Sequence, residues 1–567
     1  MKNVGIYIKL IIIAAILIVI NIIAGYVHSY IDLTEEKRFT LAESTTNLLY
    51  EVEDRIIIKV LLEGKFPASF KRLQQATREM VGEFRDENSD IDYVFEDPTD
   101  GDMDNVNNRI RSLAELGVVG RSLTYFEGKE KVQKLVFPYA LVQYGDREVI
   151  VNLLETASGP EDEESMLNKS VSLLEYKLAN AIQKITARNQ GNIVFTSGQG
   201  ELEPKYRTSL KNELSRFYNI GDLPLDSITS IGQEADLVIV ARPTTEFSLK
   251  NQFKLDQYVM NGGKIIWLID KMDAHLDSIQ KYKFYVPKEY PLGLDDMWFK
   301  YGARIQPNFV LDLQSTAIPQ VIGQSGGRPQ TQLFPWFYHP LVAPASTHPI
   351  VKNLDRVNMY WPSTIDTIQT KTHVQKTVLL ASSQYSRYQM NPVRLNFEIL
   401  KVEPDPSKFN KGRQPVALML EGQFPSLFEN RVDESFKKTL ESINQPFRAV
   451  SVPTKQLIVS DSDLAANWFN ERTQESYPMG YNPYLPQGQN IFQGNQDFMI
   501  NTIEYMISEG GVLEARNREV KLRLLNGPKV REEQTIWQLI NIGLPLLFII
   551  LFGLVYNYLR RRKYSKS

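Results

Sequence analysis

Two stretches of this 567-residue chain are apolar for long enough to cross a hydrocarbon core, and they stand near its opposite ends. Leu10 to Val27 (LIIIAAILIVINIIAGYV) is uncharged, with Asn21 its one strongly polar residue. Leu539 to Tyr556 (LINIGLPLLFIILFGLVY) is uncharged as well and contains Asn541 and Pro545. Such runs of roughly 20 residues must fold as helices, because the bilayer interior offers no water to their backbone amides. The first exceeds the apolar core of a secretion signal, roughly 7 to 15 residues, and Gly25-Tyr26-Val27-His28 supplies no small-x-small cleavage site. Two retained transmembrane helices are therefore expected. Lys2 and Lys9 precede the first, and Arg560, Arg561, Arg562, Lys563 and Lys566 follow the second, whereas the inner flanks mix signs. Positive flanks face the cytoplasm, which places both termini there and the several hundred intervening residues on the far side of the membrane.

Those residues read as an α/β ectodomain. From about 44 to 188 an apolar strand (Ile56 to Leu62), an amphipathic helix (Phe70, Leu73, Thr77, Val81, Phe84), and a strand (Ile91 to Phe95) come first. A second helix near Ile110 to Leu116, a strand from Leu135 to Tyr144, the Gly145-Asp146 turn, a strand from Val149 to Leu154, and one long helix from Glu164 to about Ala187 follow. The order βαβαββα is that of a thioredoxin-like domain, with Pro138 where that fold often carries a cis proline. The chain has no cysteine, so redox chemistry, disulfides and thiolate metal sites are excluded and this domain is expected to be a scaffold.

From 191 to 511 the alternation of strands (Ile193 to Thr196, Leu237 to Ala241, Lys264 to Asp270) with helices predicts a larger, doubly wound domain of flavodoxin- or amidotransferase-like type, its parallel sheet covered on both faces. Further strands are predicted at Thr377 to Ala381, Val416 to Leu420 and Gln456 to Val459, and a helix at Asn495 to Ile507. A Gly/Pro/Gln/Ser-rich stretch, 314–332, reads as a long surface loop. The remaining boundaries are a cytoplasmic tail at 1–9, the spans at 10–27 and 536–558, a connector at 512–535 and a basic tail at 559–567.

Signals for chemistry are sparse. A net charge of −3 offers no field to attract nucleic acid, and the five histidines lack metal-ligand spacing. Gly323-Gln324-Ser325-Gly326-Gly327 matches a nucleophile elbow in letters, but Arg328-Pro329 follows where a helix is needed. Two places stand out as candidate ligand turns. Gly198 and Gly200 sit between a strand and a helix, where anions bind, and Asp461 and Asp463 follow a strand at the edge where open α/β sheets hold ligands. Within the spans, Asn21 and Asn541 are candidate contacts with a membrane partner, since amides hydrogen-bond between helices in lipid. No catalytic residue, metal ligand or cofactor site is assigned.

Over nearly its whole length the chain resembles the gliding-associated ABC transporter auxiliary component family of Bacteroidota, GldG. The segments are RFTL from Arg38, LEGKFP from Leu62, FEDP from Phe95, VFPYA from Val136, LEY from Leu174 and GQGEL from Gly198. LDQYVMNGGK from Leu255, LEGQF from Leu420, RNRE from Arg516 and LRLL from Leu522 continue the series. The family's glycine turn often reads Gly-His-Gly-Glu, where this chain has Gln199. The resemblance implies an inner-membrane protein with a periplasmic ectodomain that works beside a multispanning permease and a cytoplasmic ATPase, ATP being bound by the partner. It implies a non-enzymatic role in gliding motility or cell-surface assembly, with self-association of the ectodomain also open. The alternative is a periplasmic solute or glycan receptor feeding that transporter.

Overall fold

The computed structural model describes residues 40–127, 130–155, 163–187, 191–325, 327–442, 446–508 and 527–564. The first apolar run with Asn21, the 509–526 segment and Gly326 lie outside them. The chain divides between Arg518 and Glu519 into two units.

The N-terminal domain opens with helix α1 (Glu43–Tyr50) and strand β1 (Ile56–Val60), followed by α2 (Ala68–Glu87), β2 (Ile91–Phe95) and α3 (Met103–Glu115). Then come β3 (Arg121–Glu127), β4 (Glu130–Val136), β5 (Tyr139–Tyr144) and β6 (Arg147–Asn152), and helices α4 (Glu163–Ser172) and α5 (Leu174–Thr186). Its sheet runs β2-β1-β5-β6, with β1 parallel to β2 and the other pairings antiparallel. Phe70, Leu73, Thr77, Val81 and Phe84 recur at helical spacing on α2 and are completely buried. Each large apolar side chain so placed contributes about 1.5–3 kcal/mol.

Three expectations need correction here. The Phe137–Pro138 bond is trans; among the described residues the cis bond is Asn391–Pro392. The helix expected to run unbroken to Ala187 is interrupted at Leu173, where Ser170 and Ser172 hydroxyls bond back to Met166 and Lys169 carbonyls at 2.8 Å, a habit that bends helices. Leu135 begins no long strand: it belongs to the separate β3–β4 hairpin.

The larger domain contains β7 (Asn192–Ser197), α6 (Thr208–Leu214), β8 (Asn219–Pro224), β9 (Leu237–Ala241), α7 (Leu249–Met260) and β10 (Ile265–Leu268). After these follow β11 (Ser315–Ser325), β12 (Arg328–Pro344), β13 (Val357–Asn358), β14 (Val374–Ala381), β15 (Pro415–Gly422), β16 (Thr454–Val459) and α8 (Gln493–Ile507). Ser248 caps α7, its side chain accepting from the Asn251 amide, and Gly262 (φ +96) turns the chain out of it.

These ten strands form one sheet, β11-β12-β14-β15-β16-β10-β9-β7-β8, with β13 beside β12, and shorter strands pair off it in two-stranded ladders. Five neighbours, from β16 to β8, are parallel, and the remainder are antiparallel. The sheet is thus mixed, not wholly parallel. Its central strands are buried on both faces, which is why they read as unbroken apolar runs. Ile239, Ile266 and Leu457 meet Phe498 and Ile503 of α8 on one side, while Val240, Trp267 and Ile458 meet Leu255 and Val259 of α7 on the other.

The stretch 314–332 is not a loop. It forms most of the β11–β12 hairpin, in which Pro319 pairs with Leu333 and Gln324 with Pro329, with irregular register at Ser315/Ala317 and Val321/Gly323. Proline lacks an amide hydrogen, but at a sheet edge that hydrogen has no required partner, so the residues that look like loop are tolerated in strand.

The two domains share one compact unit. Tyr176 of α5 donates to Glu504 of α8 at 2.8 Å, Lys184 pairs with Glu504 at 2.5 Å, and Lys169 pairs with Asp355 at 2.6 Å. In the second unit a single helix, α9 (Gly527–Tyr564), carries Pro545 and Asn541 and extends beyond the span expected at 536–558. The stretch Glu533–Lys563 is long and apolar enough to cross a membrane, its most apolar 18-residue window having a mean hydropathy of 2.4.

Candidate functional site

Parallel strands deliver their carboxyl ends to one edge, and here that edge collects the polar residues of the larger domain. Beyond β9 stands Arg242, in left-handed backbone (φ 53); beyond β10 comes Asp270; beyond β16 come Ser460, Asp461, Ser462 and Asp463. The Arg242 guanidinium donates to the Ser462 hydroxyl at 2.9 Å and pairs with Asp463 and, at 3.4 Å, with Asp270. Asp270 accepts from both the amide and the hydroxyl of Ser462, each at 2.7 Å.

Asp461 is completely buried. One carboxyl oxygen accepts from the Tyr360 amide at 2.6 Å and the other from the Asp463 amide at 2.9 Å. Burial, reinforced by the neighbouring Asp270, holds this carboxyl well above the usual range. With one backbone amide on each oxygen, Asp461 straps the 360 segment to the end of β16. Asp461→Ala leaves two buried amides without acceptors, at about 1–3 kcal/mol each. Urea denaturation is expected to show that loss, and Asp461→Asn, which keeps one acceptor, a smaller one.

The glycine turn stands elsewhere on the same edge. Gly198 (φ +115) and Gly200 (φ +73) shape it, and a Cβ at Gly200 would collide with the Thr244 hydroxyl. Gln199, almost wholly buried, receives the Thr244 amide on its carbonyl at 2.9 Å. Its own amide donates to Glu201 at 2.7 Å, so a carboxylate of the turn already occupies the place an anion would take. The next helix, α6, starts only after a 3-10 turn at Pro204–Tyr206. Three strand spacings separate β7 from β16, about 14 Å at roughly 4.8 Å each. The two candidate turns therefore share an edge without sharing a site.

Beside the Arg242–Asp463 pair opens a cavity of about 300 Å³. His339, Tyr360 and Trp361 line it together with Trp468, Tyr481 and Tyr484. His339 is 1 % exposed, and neither ring nitrogen has a hydrogen-bond partner. Burial pushes its pKa down to about 3, which keeps the imidazole neutral. A broader groove of about 860 Å³ runs between the two domains, lined by Lys177, Lys184, Arg216 and Glu148 among others.

Ser325 ends a strand that turns back into another strand, which is not the strand-to-helix turn of a nucleophile elbow. Among the described residues, no group of three or more histidines and carboxylates is placed to hold a metal ion. Arg242 and Asp270 escaped the sequence reading although each directly follows a buried strand, as Asp461 does. The cavity aromatics escaped it because they come from segments more than a hundred residues apart.

Two family models match the chain. One, described as an ABC-type uncharacterized transport system, covers residues 190–502, and the other, a domain of unknown function (DUF7088), covers 35–143. No curated protein matches. Among solved structures, the mmIFT52 N-terminal domain is similar at 11% identity over 56% of this chain and 97% of that one, with a TM-score of 0.29, too low to establish a shared fold. The first model spans more than half of the sequence and contains the sheet, its polar edge and the aromatic cavity, and the chain belongs to that family of ABC-type transport systems.

Proposed function

We propose that this protein is a non-enzymatic auxiliary subunit of an ABC-type membrane complex, coupling a periplasmic ectodomain to a multispanning permease and a cytoplasmic ATPase in gliding motility or cell-surface assembly. The observation that carries this is helix α9, which contains an uncharged apolar run long enough to cross a membrane. Lipid covers an apolar surface of this kind, and Asn541 adds an amide that a partner helix would satisfy. The carboxyl edge supports the same reading, because its carboxylates are consumed in holding strand ends together. The sheet order β2-β1-β5-β6 supports a thioredoxin-like scaffold, and the five parallel strands support a flavodoxin- or amidotransferase-like one.

Purification of the full chain in mild detergent is expected to recover an ATPase and a multispanning membrane protein, and removal of 533–563 is expected to lose both. Recovery of a partnerless monomer would contradict the proposal. The lack of cysteine makes topology directly measurable: single cysteines at Ser383 and Ser565 should differ in spheroplasts, the first labelled by an impermeant maleimide and the second protected. A second reading, a periplasmic solute or glycan receptor feeding the transporter, is favoured by the aromatic-lined cavity beside Arg242.

A further inference from the structure

Strand β6 is the outer strand of the N-terminal sheet, bonded to β5 along one side. Just past it, Leu153 donates to the Pro138 carbonyl at 2.8 Å and so faces β5. Facing alternates along an antiparallel strand, so Glu148, Ile150 and Asn152 turn their backbone amides and carbonyls away from the sheet. Lys177 Nζ caps the Asn152 carbonyl at 2.7 Å. Among the described residues, no hydrogen bond meets the outward backbone groups of Glu148 and Ile150. Sheets commonly blunt such an edge with proline or a bulge, and β11 has both, in Pro319 and its register shifts. Strand β6 has neither: all six of its residues pair with β5 in unbroken register.

The groove of about 860 Å³ between the two domains follows this edge. All six β6 residues line it, and since their side chains alternate between the two faces of the sheet, a groove that meets every one of them runs along the edge itself. Glu213, Arg216 and Phe217 of the larger domain, with Gln493 and Asp497 of α8, form the opposite wall. The edge is therefore recessed. The equivalent edge of a second copy is recessed in the same way, and two such edges do not meet, whereas a single extended segment enters a groove. Charge narrows the segment. Lys177 is matched by Glu155 and Lys184 by Glu504, each at 2.5 Å, after which the lining carboxylates Glu115, Glu148 and Glu213 outnumber the guanidiniums of Arg147 and Arg216. Leu116, Ile150 and Phe217 add apolar surface between them.

We infer that β6 binds an extended segment of a partner protein as a fifth strand of the N-terminal sheet, the segment alternating basic with apolar residues. Main-chain bonds to Glu148 and Ile150 supply affinity in this mode of recognition, and the side chains of the groove supply selectivity. The inference goes beyond the membrane-complex reading and stands without the receptor reading.

The test starts from a displayed library of random linear peptides, selected on the full-length protein in detergent. Sequences alternating basic and apolar residues are expected, and their synthetic forms are expected to bind in calorimetry. In each bound peptide, N-methylation of one alternate set of backbone amides should abolish binding and N-methylation of the other set should leave it, because every second amide of an added strand faces β6. Glu148→Pro removes one outward amide, a change that edge strands tolerate, and should weaken binding by about tenfold or more with the urea midpoint little changed, a loss equivalent to about 1.4 kcal/mol. Glu148→Lys keeps the amide and should weaken basic peptides alone. Should Glu148→Pro misfold, the pair of N-methylated peptides decides the matter on the unaltered protein. Failure to select any peptide, or peptides indifferent to which set is methylated, overturns the added strand. Selection of acidic sequences overturns the stated partner chemistry.

Discussion

Replacing Glu504 by alanine is expected to destabilise the ectodomain by about 3–5 kcal/mol, the usual result of removing one partner of a buried ion pair. Glu504 leaves α8 with only 4% of its side chain exposed and meets Lys184 at 2.5 Å. The same carboxylate receives the Tyr176 hydroxyl at 2.8 Å and the Asn180 amide at 3.3 Å. Without it, the Lys184 ammonium, 16% exposed, loses its carboxylate and retains the face of Phe217 at 4.5 Å. Every one of these bonds joins the N-terminal domain to the larger one. The loss should therefore separate as well as weaken: a single denaturation transition in the wild type is expected to become two in Glu504→Ala. Glu504→Gln keeps an acceptor for Tyr176 and discards the charge, so it should fall between. Coincident transitions with an unchanged midpoint in Glu504→Ala would show that the two domains are held together elsewhere.

The second large effect concerns acid. His339 has a folded pKa of about 3, against an unfolded value of about 6.5. Between those limits the unfolded chain binds a proton that the folded chain refuses, so stability falls as pH drops through that window. At about 1.4 kcal/mol per unit, the loss reaches about 3 kcal/mol by pH 4.5 and about 4–5 kcal/mol at the lower limit. Above pH 6.5 the contribution is constant. Carboxylates whose pKa values are lowered by partners, such as Asp97 and Glu421, add their own acid loss only nearer their titration. The measurement is urea stability from pH 7.5 to 4.5 in wild type and His339→Phe. The variant's curve should be flatter by about 3 kcal/mol over that range, and parallel curves would mean that the imidazole protonates in the folded state.

The buried half of the structure was legible from the sequence. Leu237 to Ala241 and Ile91 to Phe95 are strands within the same bounds, because strands covered on both faces or alternating in burial leave an apolar signature. Edge elements leave none. In β8, Asn219–Pro224, no residue is fully buried, and the β11–β12 hairpin hides behind prolines and glutamines that only an edge tolerates. Site legibility divides the same way. Asp461 was visible because it directly follows a buried strand, yet its use as a backbone strap depends on the Tyr360 amide, about a hundred residues earlier in the chain. His339 looks unremarkable in sequence; what distinguishes it is the absence of partners inside a box of rings, which exists only after folding.

The account turns on what covers helix α9 in the membrane. A photo-crosslinking residue in place of Asn541, activated in native membranes, addresses that directly. The expected product is a specific adduct with a multispanning membrane protein, lost when the crosslinker is moved to Trp537 near the end of the apolar span. Adducts with lipid alone at both positions would contradict the assignment of this chain as the auxiliary subunit of a membrane complex.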